Sequence, residues 1–265
     1  YKIVPELIYD TKSTVVFGTD TFLSGYAAHG DPEDFQFTRY VIAGAEKLKN
    51  STRENWMTKF GVRIFEGYGV TETSPALSIN NYSHCKFGTV GRMFPGIQSK
   101  LDPVPGIEQG GRLWVKGDNI MLGYLRAENP GVLEPTINGW HDTGDIVDID
   151  YEGFISILGR AKRFAKIGGE MVSLTQVEGW LSLLWSNEIH CVCAVADERK
   201  GEKLILVTTR EDADRKTIQK HIASLGGAEI MSPKEVLYIK QIPVLGTGKL
   251  DYPAIQQLAN DYAQA

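Results

Sequence analysis

The sequence predicts an α/β segment, then a small antiparallel β-barrel, then a separate α+β unit. Three observations carry that prediction. Through residues 13–69 short apolar runs alternate with a helical pattern, and from Gly88 to Leu158 short strands are broken by Gly and Pro. After Gly159 longer helical and strand patterns alternate again. Strand–helix–strand alternation implies parallel pairing, and ligands of parallel sheets collect at the carboxyl ends of the strands.

STVVFGTD (13–20) begins as a short buried strand, FLSGYAAHG (22–30) reads as a helix or turn, and a polar Asp-Pro-Glu-Asp loop follows. RYVIAGA (39–45) is a core strand. STRENWMTKFG (51–61) is helical, with Ser51 and Thr52 as candidate caps and Gly61 as a stop. RIFEGYG (63–69) is the next strand and ends in a glycine turn. KLDPVPGIEQGGRLWVKG (100–117) and the hairpin-like DIVDIDYEGFISILG (145–159), with its Asp-Tyr-Glu-Gly turn, belong to the barrel. The closing unit has helices in SLTQVEGWLSLL (173–184), RKTIQKHIASLG (215–226) and near DYPAIQQLAND (251–261). Its strands are HCVCAVAD (190–197), KLILVTT (203–209) and KEVLYIKQI (234–242). The boundary falls near Gly159 to Lys162, giving domains 1–159 and 160–265.

The 265 residues suffice for two domains of about 150 residues each. A net charge of −5 argues against a nucleic-acid partner, whose binding needs a basic face. Cys85, Cys191 and Cys193 form no disulfide framework and no spaced metal pair, which suits a reducing, cytoplasmic compartment. The alternation in HCVCAVA favours core packing of the last two thiols over metal or redox chemistry. No apolar run approaches the roughly 20 residues of a membrane-spanning helix. The chain opens at Tyr1 in mid-pattern, which reads as a partial chain.

GYGVTET (67–73) is the densest run of candidate site residues. Gly67 and Gly69 permit backbone angles and close approaches closed to other residues, and Tyr68 offers a flat face for a purine. Thr71 offers a phosphate donor and Glu72 a hard oxygen ligand suited to Mg²⁺. A plain turn uses the same residues, and on this run alone the two readings stand side by side.

Other segments follow in a fixed order. VIAGAEKL (41–48) precedes the turn; GRLWVKGDNIMLGYL (111–125), WHDTGDI (140–146), GRAKRFAKIGGEMVSLTQVE (159–178) and PVLGTGKLD (243–251) succeed it. The ordered set resembles the adenylate-forming superfamily of acyl-CoA synthetases, luciferases and adenylation domains, over nearly the whole chain. That resemblance implies the C-terminal part of the adenylate-forming fold, ending in a mobile α+β lid. The superfamily's phosphate loop has no counterpart between Tyr1 and Gly67, so the 265 residues alone are expected to be inactive.

The resemblance assigns roles position by position. It puts Gly44, Ala45 and Glu46 with Gly67, Tyr68 and Gly69 in the adenine pocket, Tyr68 stacking on the ring. Thr71 becomes the α-phosphate donor, Glu72 the Mg²⁺ ligand of bound ATP, and Asp145 the carboxylate for the ribose hydroxyls. Arg160 becomes a further ribose or phosphate contact, and Lys162 the hinge. Lys249 becomes the lysine of adenylation, and Lys166 that of thioester formation after the lid rotates. The GTGKLD run is not a Walker loop, because Pro243 stands where that motif needs Gly and Leu250 where it needs Ser or Thr.

GRAKRFAKIGGEMVSL, FGTDTF, AGAEKL and GYLRAENPGVLEP resemble most nearly the bacterial bifunctional acyl-[acyl-carrier-protein] synthetase/2-acylglycerophosphoethanolamine acyltransferases. This implies a fatty-acid substrate, acyl carrier protein as thiol acceptor, lysophospholipid as final acceptor, and association of the full-length protein with the bacterial inner membrane. The basic cluster Arg160, Lys162, Arg163 and Lys166 is then expected to steer the acidic carrier. Coenzyme A is the alternative acceptor, and a non-catalytic nucleotide- or carrier-binding module the alternative of another class. His29 and Asp34 have the acyltransferase His-x₄-Asp spacing, but the polar, loop-like residues between them argue against catalysis there.

Overall fold

The computed structural model describes residues 1–246 and 250–264. The chain divides into two compact units: residues 1–102, 112–143 and 147–157 form the first, and residues 103–111, 144–146 and 158–265 the second. Among the described residues no helix is long and apolar enough to cross a membrane.

In the first unit, α1 (Ile3–Asp10) precedes β1 (Val15–Gly18), α2 (Asp20–His29), β2 (Tyr40–Ala43), α3 (Asn50–Phe60) and β3 (Ile64–Tyr68). The three strands are parallel, with Val16 beside Val41 and Val41 beside Ile64. The helices bury Leu23, Ala27 and Trp56 against Val16, Val41 and Ile64, and the Trp56 indole donates to the Leu23 carbonyl at 2.8 Å. Gly61 ends α3 in the left-handed region at φ 66°, as predicted. Ser51 and Thr52 do not cap α3: the helix starts at Asn50, and the Lys49 amide before it donates to Asp20 at 2.9 Å. No side chain caps the first turn of α3, and a tie to a distant segment leaves no local signature. The first helix also escaped the sequence reading.

Two short antiparallel strands, β4 (Ser78–Ile79) and β5 (Arg92–Met93), extend this sheet. The Gly- and Pro-broken region forms β6 (Gln98–Asp102), β7 (Gly111–Lys116), β8 (Gly123–Leu125), β9 (Leu133–Pro135), β10 (His141–Ile149) and β11 (Ile155–Arg160). The predicted barrel is instead an open four-stranded sheet of order β11-β10-β7-β6. Among the described residues β8 and β9 pair only with each other, and four strands fall short of the roughly eight that enclose a filled interior. Strand β7 alternates buried and exposed residues, turning Leu113 and Val115 toward Tyr68, Leu77, Val147 and Ile155.

The second unit contains β12 (Phe164–Ile167), β13 (Glu170–Ser173), α4 (Leu174–Leu184), β14 (His190–Asp197), β15 (Gly201–Thr208), α5 (Arg215–Ser224), β16 (Glu235–Tyr238) and α6 (Tyr252–Gln264). Both faces of its sheet are covered. Val192, Leu204 and Leu206 pack with Val177 and Leu181 of α4 and Ile218 of α5. Cys191, Cys193, Ile205 and Val207 pack with Ile255 and Ala259 of α6. The alternation thus buries both thiols in the core, as predicted. The β12–β13 hairpin was missed. Gly168 and Gly169, at φ 60° and 94°, make its turn.

Candidate active site

Residues 44–46 and 67–69 leave neighbouring parallel strands at the same end, since Ala43 is in register with Glu66. A Cβ added at Gly44 would meet only the Gly67 carbonyl, at 3.9 Å, so space for a ligand lies beside these strand ends. Ala45 sits in the left-handed region at φ 64°. Glu46 is turned to α2, accepting from the Thr21 amide at 3.3 Å and hydroxyl at 3.0 Å.

The glycine turn is built by crowding. A Cβ at Gly69 would lie 1.8 Å from the Pro75 carbonyl oxygen, so no other residue fits. Buried Thr73 locks the loop by donating to the Val70 and Pro75 carbonyls. Asn119, in the segment between β7 and β8, donates to the Thr73 carbonyl at 2.8 Å. Tyr68 is only 8 % exposed, so most of its ring is spent on packing. Thr71 is exposed and Glu72 half-buried at the start of the short 3-10 turn Thr71–Thr73.

Two residues were not foreseen here. Tyr124 of β8 donates its hydroxyl to Glu72 Oε1 at 2.6 Å, and this bond to a carboxylate pushes the phenol pKa up. Asn119 is the other. Both bond to residues far off in sequence, so only the fold reveals them.

In the second unit, Asp145 is 3 % exposed and its Oδ1 lies 2.8 Å from Arg160 Nε. Two residues expected at a ribose therefore meet. Lys162 is exposed within the 3-10 turn Ala161–Arg163, and Lys166 is exposed on β12, where its amide donates to Glu202 at 2.5 Å. Lys249 lies outside the described residues.

The expectation that Arg163 joins an exposed basic edge is corrected. Arg163 turns inward, paired with Glu178 of α4 and stacked on the Tyr252 ring at 4.3 Å. Glu178 also accepts from the Val192 amide at 2.7 Å. Burial pushes the Glu178 carboxyl up, and Arg163 pulls it back. Burial likewise raises the Tyr252 phenol, to about 12. His29 Nδ1 donates to the Gly25 carbonyl at 2.9 Å and Asp34 accepts from the Asp31 amide of its own turn at 2.8 Å, so each is spent on local structure.

No group of three or more His, Cys, Asp or Glu side chains among the described residues forms a metal cage. Mg²⁺ dehydrates reluctantly and uses one or two carboxylates with substrate phosphates rather than an all-protein cage. Glu72 can supply such a carboxylate.

A family model described as AMP-binding enzyme matches residues 2–125. A long-chain-fatty-acid–CoA ligase of Yersinia pestis is 30% identical over 226 residues, which is 82% of this chain and 40% of that protein. A feruloyl-CoA synthase of an Amycolatopsis species is 28% identical over 250 residues, covering 89% and 50%. ATP-bound MatB from Rhodopseudomonas palustris is similar in structure with a TM-score of 0.78 at 26% identity, over 97% of this chain and 54% of that chain. o-Succinylbenzoate CoA synthetase from Bacillus subtilis, in complex with its acyl-adenylate intermediate, reaches 0.81 at 22% identity over 96% and 53%, a likeness of fold. The chain thus spans about 40% of the length of the Yersinia pestis relative.

Proposed function

We propose, from the match of residues 2–125 to the AMP-binding enzyme family, that the chain is the C-terminal part of an ATP-dependent fatty-acid-activating ligase. The carrying observation is the convergence of residues 44–46 and 67–72 at neighbouring carboxyl ends of parallel strands. A fatty carboxylate attacks the α-phosphorus of ATP, the bond to the β-phosphate breaks, and pyrophosphate leaves. The acyl-adenylate then yields its acyl group to a thiol, releasing AMP.

In this reading residues 44–46 and the Gly67–Gly69 turn border the adenine, and Thr71 donates to the α-phosphate. Glu72 would hold Mg²⁺, and the metal would supply charge neutralisation for the departing pyrophosphate. Asp145, buried and braced by Arg160, accepts from the ribose hydroxyls. Lys249 serves adenylation, and Lys166 serves thioester formation once a lid, residues 160–265, has turned about Lys162. A cation at such a site is worth on the order of 10²–10³ in rate.

Acyl carrier protein is the proposed thiol acceptor and lysophospholipid the final one, supported by the GRAKRFAKIGGEMVSL wording of β12, β13 and their flanks. Coenzyme A is a second reading, favoured by the relatives whose names are CoA ligases. The test is fatty-acid-dependent pyrophosphate exchange by the full-length protein, followed by thioester formation with each acceptor. Lys249→Ala should suppress exchange and spare transfer from supplied acyl-adenylate; Lys166→Ala should do the reverse. Equal damage to one half-reaction by both variants would sink the two-lysine assignment, and absence of exchange in the wild type would sink the reading itself.

A further inference from the structure

We propose that Tyr124 is a positioning residue for the metal-binding carboxylate of Glu72, which makes the exposed β8–β9 ribbon a working part of the nucleotide site. This rests on the reading of Glu72 as a metal ligand and adds to it the residue that aims the ligand.

Glu72 is held at two points by one stretch of chain. The Met121 amide donates to the Glu72 carbonyl at 2.9 Å, and three residues later the Tyr124 hydroxyl donates to Oε1 at 2.6 Å. Backbone and side chain of Glu72 are thus fixed by the same ribbon. The ribbon in turn fixes Tyr124. Arg126 stacks on its ring at 4.4 Å, and Arg126 Nε lies 3.0 Å from Glu134, which faces Tyr124 across the β8–β9 register. A Cβ at Gly123 would lie 2.0 Å from the Glu134 carbonyl oxygen, so glycine is what allows β8 to lie so close to β9.

A phenol suits this task better than a cation. It donates one short bond that favours the ionised carboxylate, yet brings no positive charge to compete with a metal ion. Gripping Oε1 sets the direction of Oε2. Side chains that orient metal ligands typically contribute 10- to 100-fold in metal affinity. The ribbon's exposure is consistent with this role: Leu122, Leu125 and Ile137 bury little, so packing alone gives no reason for an ordered Tyr124.

The test uses the full-length enzyme with ATP and Mn²⁺ as a paramagnetic probe, free Mn²⁺ being counted by electron paramagnetic resonance. Tyr124→Phe retains the ring and its Arg126 contact and removes only the hydroxyl. Mn²⁺ affinity is expected to fall by about 10- to 100-fold, with kcat for adenylation at saturating metal close to wild type. A Tyr124→Phe enzyme that binds Mn²⁺ within twofold of wild type, while Glu72→Gln binds it far more weakly, would overturn the positioning role. A loss of kcat at saturating metal with unchanged affinity would overturn it as well. If Glu72→Gln itself binds Mn²⁺ as the wild type does, the reading of Glu72 fails, and that outcome is distinct from either of the others.

Discussion

Reversing the charge of Arg163 would strip the counter-ion from Glu178, a residue only 9 % exposed, and set two carboxylates against each other. Removing one partner of a buried pair costs about 3–5 kcal/mol, because the remaining charge stays desolvated. Arg163→Glu is therefore expected to lower the midpoint of urea unfolding sharply, whereas Lys162→Glu, at an exposed position, should change stability by no more than about 0.5 kcal/mol. Similar midpoints for the two variants would show that Arg163 is not buried. The sequence made these two residues look alike, since both sit in one basic run and nothing local tells which side chain turns inward. Gly69 was legible for the opposite reason: its requirement is a backbone one, set within seven residues of Pro75. Tyr124 and Asn119 were illegible because their partners lie 52 and 46 residues away.

Helix α5 starts with an Asp214 cap whose carboxylate accepts from the Lys216 amide at 2.9 Å and the Thr217 amide at 3.0 Å. Bonds from Thr217 and then from Lys216 hold the Asp214 carboxyl below the usual carboxylate range. A depressed folded pKa contributes stability that is present above the unfolded value, about 3.9, and is lost as pH falls through the folded one. Asp214→Ala should thus melt below wild type at pH 7, and the gap should narrow below about pH 4. A gap that stays constant with pH would mean that the charge of the cap is not what matters. At this scale α3 to α6 and the long strands were legible because their apolar periods are complete, and α4 carries its own Ser173 cap, whereas α1 was not. The barrel was not. Short strands advertise antiparallel pairing, but closure depends on which edges meet, and β8 and β9 satisfy each other instead.

Across the whole molecule, charge is distributed against its sum. The chain is acidic overall at −5, yet in the second unit Arg199, Lys200, Lys203, Arg215 and Lys234 surround a pocket of about 400 Å³. Lys203 is paired with Glu235 and Lys234 with Glu229, while Arg199, Lys200 and Arg215 take part in no ion pair among the described residues. The division of the chain into differently patterned regions could be read from the sequence, but this basic rim could not, because its members come from β14–β15, α5 and β16 and gather only on folding. Asp197, Glu202 and Glu235 line the same pocket, and Lys162 and Lys166 of the basic run stay exposed. Under the carrier-protein reading, a field of this sign speeds encounter with an acidic partner, and such steering is screened over about 8 Å at physiological ionic strength. The association rate of the full-length enzyme with acyl carrier protein should then fall on the order of tenfold between low and high salt. Arg215→Glu should lower the low-salt rate and flatten that salt dependence, while leaving pyrophosphate exchange unchanged, since adenylation involves no carrier. Stopped-flow fluorescence with a labelled carrier protein measures the rate directly. A salt dependence as steep in Arg215→Glu as in wild type would show that the carrier approaches by another face.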